Sequence, residues 1–108
     1  MKSEFIQVIT TIDSEEGARK IAQALVEKRL AGCVQIIGPI RSIYWWKKKI
    51  ETAQEWLCLI KTRSHLFEKM EKTIRKIHPY ETPEILATPI TQASQDYLNW
   101  LDSELKKE

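Results

Sequence analysis

From Cys33 to Thr62 the chain reads as strand throughout, interrupted only near Lys47 and Lys48, and this stretch constrains the fold more than any other. Two β-type runs joined so tightly have one economical solution, an antiparallel hairpin with its turn at Lys47 and Lys48. Each arm is about 14 residues, roughly 45 Å at 3.3 Å per residue, well beyond the usual strand length. Such a hairpin must project beyond its own domain, and a projecting arm needs a surface to lie against.

Around the hairpin the periodicity changes. Glu4 to Ile12 is a first strand, and Asp13 followed by Glu16 resembles a variant capping box that predicts a helix start. Ala18, Ile21, Ala22, Leu25, Val26 and Leu30 recur at helical spacing up to Gly32, with Lys28 and Arg29 placed at the negative end of the dipole. Ser64 is positioned to cap a second helix carrying Phe67, Met70, Ile74 and Ile77 on one face, which ends at His78 because Pro79 disfavours helical geometry before it. Glu84 to Thr91 is a fourth strand, and Ser94 caps a last helix with Tyr97, Leu98, Leu101 and Leu105 on its inner stripe. The order βαββαβ plus a C-terminal helix predicts an α+β, ferredoxin-like sandwich in a single domain over residues 1–108, with strand order 4-1-3-2. Pro39 and Pro89 fall in the two edge strands of that order, where ladder hydrogen bonding tolerates them.

Both faces of the sheet are apolar. The third strand splits Trp56, Cys58 and Ile60 from Leu57 and Leu59, and the first splits Ile6 and Val8 from Phe5 and Ile9. Two crossover helices cover one face only, so the other needs the terminal helix, another subunit, or both. With the turn at Lys47 and Lys48, Cys58 lies opposite Ile37 and Cys33 opposite Thr62, too far apart for a disulfide, and both cysteines are expected reduced.

Seventeen Lys plus Arg against fifteen Asp plus Glu leave a net charge of +2, too small and too interspersed to hold nucleic acid by charge alone. The Lys47-Lys48-Lys49 run is short enough for a solvated turn. No stretch approaches the ~18 apolar residues of a membrane span, and Lys2 and Glu4 precede a short alternating run instead of an apolar leader, so a cytoplasmic protein is expected. No P-loop, dinucleotide fingerprint, HExxH, nucleophile elbow or Cys/His zinc spacing occurs, and an enzyme is not expected.

The densest set of functional groups is His78-Pro79-Tyr80-Glu81-Thr82-Pro83-Glu84, an imidazole, a phenol and two carboxylates on a loop stiffened by two prolines. Its plainer reading is a histidine capping the helix, a packed tyrosine and solvated glutamates. His65 has no acidic or thiol companion at ligand spacing and reads as a surface residue. Tyr44, Trp45 and Trp46 lack a matching nucleic-acid-binding aromatic pair and read, with Trp100, as anchors of a subunit interface.

Five stretches together resemble one known family: Leu30-Ala31-Gly32-Cys33-Val34; Ser42-Ile43-Tyr44-Trp45-Trp46 with Ile50-Glu51; Glu55 to Thr62; the His78 to Glu84 loop; and Tyr97-Leu98-Asn99-Trp100-Leu101. The chain is similar over essentially its whole length to the CutA divalent-cation tolerance proteins. The resemblance implies a homotrimer packed like the nitrogen-signalling PII proteins, with the hairpin embracing a neighbour, and a role in copper and heavy-metal tolerance. It implies a weak Cu(II) or other divalent-cation site at His78 with Glu81. The family commonly has glycine at the positions of Lys48 and Ala93, and its metal-binding members can place Cys and His where this chain has Thr10 and Ile77. The alternative is a trimeric binding or scaffold protein whose intersubunit cleft holds a small anion or a partner protein through Lys61, Tyr80, Glu81 and Glu84. An acylphosphatase-type enzyme on the same fold ranks last, since no Arg/Asn phosphate cradle is evident.

Overall fold

The computed structural model describes residues 4–107. Its elements are β1 (Phe5–Ile12), α1 (Glu15–Glu27), β2 (Cys33–Trp46), β3 (Lys49–Arg63), α2 (Phe67–Ile77), β4 (Ile85–Pro89) and α3 (Gln95–Glu104), with a 3₁₀ turn at Ser64–Leu66. The four strands form one antiparallel sheet in the order β2-β3-β1-β4, the ferredoxin-like arrangement, with the prolines on its edge strands.

Local chemistry moves several expected boundaries. The cap of α1 is Ser14 and not Asp13: its Oγ accepts from the Gly17 N–H at 3.0 Å, and Glu15 and Glu16 then occupy the first turn. The helix stops at Glu27, short of Leu30, because Arg29 turns left-handed with φ 57°. The Arg29 N–H bonds the Val26 carbonyl and the Leu30 N–H the Leu25 carbonyl, a Schellman closure made without glycine. Arg29 is held there by α3, since its guanidinium donates to the Glu104 carbonyl and carboxylate at 3.0 and 3.2 Å. Ser64 does not cap α2. It opens the 3₁₀ turn, and no side chain caps the helix start. The fourth strand is shorter than expected, five residues from Ile85 to Pro89.

The turn of the β2–β3 hairpin lies at Lys47 and Lys48, as expected, with φ 51° and 70°, the positive pair that characterises a type I′ turn. The register nevertheless slips by one beyond Gly38-Pro39, a cis peptide, where two residues of β2 oppose Trp56 alone. Cys58 therefore faces Ile36 and Cys33 faces Lys61; both thiols are free. The bulge also lets Trp56 lie across Gly38, where a Cβ would collide with the indole.

Alternation then sorts the sheet. Ile6, Val8, Ile12, Cys58 and Ile60 join Ile21, Leu25, Met70 and Ile74 of the helices in the core. On the opposite face Phe5, Ile9, Leu57 and Leu59 are half-buried, while Ile37 and Leu86 are exposed. α3 meets the end of the sheet through Leu101, which packs directly on Gly32. The hairpin beyond the bulge leaves the body of the domain, giving a molecule of 43 × 25 × 23 Å.

Candidate functional site

Pro79 stops α2 by forcing His78 into an extended conformation, φ −70° and ψ 130°, and this swings the imidazole inward. His78 Nδ1 lies 3.3 Å from the Tyr80 amide nitrogen, and Nε2 lies 2.7 Å from the Thr11 carbonyl. An amide can only donate, so Nδ1 accepts and Nε2 carries the proton given to Thr11. The ring is buried and bonded at both nitrogens. His78 thus ties the loop to the end of β1, and Tyr80 packs edge-on against it with ring centroids 4.6 Å apart.

Tyr80 in turn reaches the hairpin. Its hydroxyl donates to Glu55 Oε2 at 2.6 Å, and Glu55 is only 4% exposed. Burial, and then the Glu55 carboxylate, push the Tyr80 phenol well above its ordinary pKa, so it stays protonated and keeps donating. In the arm, the pairs Ile40–Glu55, Ser42–Ala53, Tyr44–Glu51 and Trp46–Lys49 place Glu55 on the same face as Ser42, Tyr44 and Trp46. Between that arm and the loop runs a cleft of about 740 Å³, lined by hairpin residues Ser42 to Trp46 and Glu55, by Thr11, and by Tyr80, Glu81, Thr82 and Glu84.

The structure thus brings Tyr80, Glu81 and Glu84 together with Tyr44 and Trp46, while Trp45, which also borders the cleft, alternates to the other side of the arm. Lys61 is not with them. It lies six residues along β3 from Glu55, roughly 20 Å, and donates to Gln35 Oε1 at 2.6 Å. With no Lys or Arg in its lining and three carboxylates present, this cleft within one subunit does not suit a small anion. Trp100 is on α3 beside Tyr97, rings 5.5 Å apart, and outside the cleft. His65 sits on the 3₁₀ turn, 3.4 Å from the Lys106 carbonyl.

A preformed metal centre does not fit these residues either. Both His78 nitrogens are committed, Thr10 and Ile77 bring no thiolate or imidazole, and no three His, Cys, Asp or Glu side chains converge among the described residues. The Thr10 hydroxyl, buried with no partner, faces Cys58 across the ladder. Sequence reasoning missed Glu55. Its one signal was an acid immediately before the apolar run Trp56-Leu57-Cys58-Leu59-Ile60.

A ferredoxin-like sheet, an extended β2–β3 arm and a His-Pro-Tyr-Glu loop anchored against it define the class of protein. The profile of the CutA1 divalent ion tolerance proteins matches residues 6–104, and the chain belongs to that family. It is 48% identical over 94 residues to the divalent-cation tolerance protein CutA of Thermus thermophilus, covering 87% of this chain and 91% of the relative. The solved structure of the T. thermophilus protein superposes with a TM-score of 0.92 at 44% identity, over 94% of this chain and 99% of that one. Identity to mouse protein CutA is 47% over 91 residues, 84% of this chain but only 51% of the mouse protein, so the chain spans about half of that relative. The crystal structure of CutA1 from Oryza sativa superposes with a TM-score of 0.95 at 33% identity, over 99% and 98% of the two chains.

Proposed function

We propose that this protein serves divalent-cation tolerance as a homotrimeric binding protein whose working site is the cleft between the hairpin arm and the Pro79–Pro83 loop. The observation that carries this reading is the Tyr80–Glu55 hydrogen bond, which joins loop and arm and buries a carboxylate at the cleft's edge. Folds spend polar groups in this way where a ligand is to meet them. The exposed Ile43, Trp45 and Ile50 of the hairpin and the apolar second face of the sheet support the trimer. The two free thiols support a reducing, cytoplasmic setting. No described helix is long and apolar enough to cross a membrane.

A second reading, favoured by the family's role, takes Cu(II) at His78 with Glu81. The ion must displace the Tyr80 N–H from Nδ1, or the Nε2 proton that His78 donates to the Thr11 carbonyl, so such a site is weak. The two readings separate in one pair of measurements. Protein purified from native cells is assayed for metal and, by mass spectrometry, for retained small molecules; copper is titrated into the wild type, His78→Ala and His65→Ala. The cleft reading expects a retained organic ligand and copper binding that is weak or lacking. Stoichiometric copper lost in His78→Ala alone would put the metal reading first.

A further inference from the structure

Glu55 is the most unusual charged group in the fold. Among the described residues its carboxylate, 4% exposed, accepts a hydrogen bond from the Tyr80 hydroxyl alone and takes part in no ion pair. A buried carboxylate without a counter-charge is costly. The space it borders supplies none, because Glu81 and Glu84 add further negative charge and no lysine or arginine lines the cleft. In a chain with more bases than acids this is a local choice of sign. The missing cation has to come from outside the subunit.

The walls state which kind. A hard divalent ion wants converging oxygen or nitrogen ligands, which are not gathered here. Tyr44, Trp46 and Tyr80 instead line it, and the face of an aromatic ring attracts a weakly hydrated cation such as an alkylammonium group. The tip already shows that affinity, with the Lys47 ammonium 5.5 Å over the Trp46 ring. A volume of about 740 Å³ is generous for a bare metal ion and suits a small organic molecule.

We propose that the cleft binds a small organic cation through an alkyl- or quaternary-ammonium group, which lies against Tyr44 and Tyr80 with Glu55 as its counter-ion. The inference rests on the cleft being the ligand site, and it names the ligand class. Tyr80 acts as a positioning residue, since its hydroxyl orients the Glu55 carboxylate while its ring forms part of the wall.

The test titrates the full chain, in its native oligomeric state, with tetramethylammonium, choline and spermidine, followed by tryptophan fluorescence and calorimetry. The control is 3,3-dimethylbutan-1-ol, the uncharged isostere of choline. At least one cation should bind saturably, and choline should exceed its isostere by about tenfold or more, the order of a desolvated cation–π contact with a counter-ion. Glu55→Gln, which removes a buried charge and so preserves the fold, should abolish that discrimination. Tyr44→Leu should weaken the cation more than the isostere and so narrow the discrimination, with no change in subunit number. Equal binding of choline and its isostere would overturn the inference, because the cleft would then be a merely apolar groove. Copper binding that depends on Glu55, with no cation bound, would overturn the ammonium assignment and leave the cleft as the ligand site. If nothing binds and both variants change only subunit number, a second copy fills the cleft, and both readings fall.

Discussion

Cys58 shows how one side chain's chemistry reports on the core. Its thiol is wholly buried, with the Ala18 carbonyl 4.0 Å away, and burial pushes its pKa from the ordinary 9.0 up to about 11. Between these two values the folded thiol keeps a proton that the unfolded chain is losing. The contribution to stability is therefore complete below pH 9.0 and is lost as pH rises through about 11. Lysines and tyrosines titrate in the same range, so the informative quantity is a difference. The gap in urea midpoint between wild type and Cys58→Ala should narrow steadily above pH 9.0, and a constant gap would mean that the thiol ionises as easily in the core as in water. His78 makes the complementary point about legibility. The sequence marks an imidazole beside two prolines, but the partner that decides its role is the carbonyl of Thr11, 67 positions away, and backbone acceptors leave no trace in side-chain identity.

Elements were legible where periodicity alone determines them, and illegible where a single backbone torsion does. The strand order, the turn at Lys47 and Lys48 and the two-faced sheet follow from alternation and proline placement. The Gly38-Pro39 bulge does not, and it shifts the pairing of every residue between it and Cys33 by one. The left-handed turn at Arg29 is not legible either, because such a helix terminus normally carries glycine, whereas this one is held by a distant glutamate. Lys48 behaves as the family's glycine at that position implies, with φ 70°, while Ala93 is not among the described residues with positive φ. The turn therefore stores strain in two lysines, and Lys47→Asn with Lys48→Gly should raise stability by about 1–2 kcal/mol, the penalty of left-handed non-glycine residues. Thermal unfolding of the double variant measures it. A lowered midpoint would show that the Lys47–Trp46 contact outweighs the strain.

The arm imposes the last requirement, at the scale of the whole molecule. Its two faces are not alike: Tyr44 and Trp46 lie on the Glu55 face, whereas Ile43, Trp45 and Ile50 lie on the other, at 67%, 71% and 62% exposure. Three large apolar side chains this open, on a strand pair clear of its own domain, are stable in water only against another chain. Nearer the centre Ile37 and Leu86 are also open, on the side of the sheet that Glu55 shares with Leu57 and Leu59. The proposed trimer, its number taken from the family resemblance, would scatter light as a particle of three times 12.7 kDa, and a persistent monomer at micromolar concentration would refute it. Ile43→Ser with Trp45→Ser should shift the equilibrium toward smaller species, since buried aromatics carry much of an interface's energy. Glu55→Gln should leave the particle mass unchanged. The contrast between the two faces is the decisive reading: if the Ile43 and Trp45 changes leave the mass intact while Glu55→Gln reduces it, the interface and the ligand cleft have been assigned to the wrong sides of the arm.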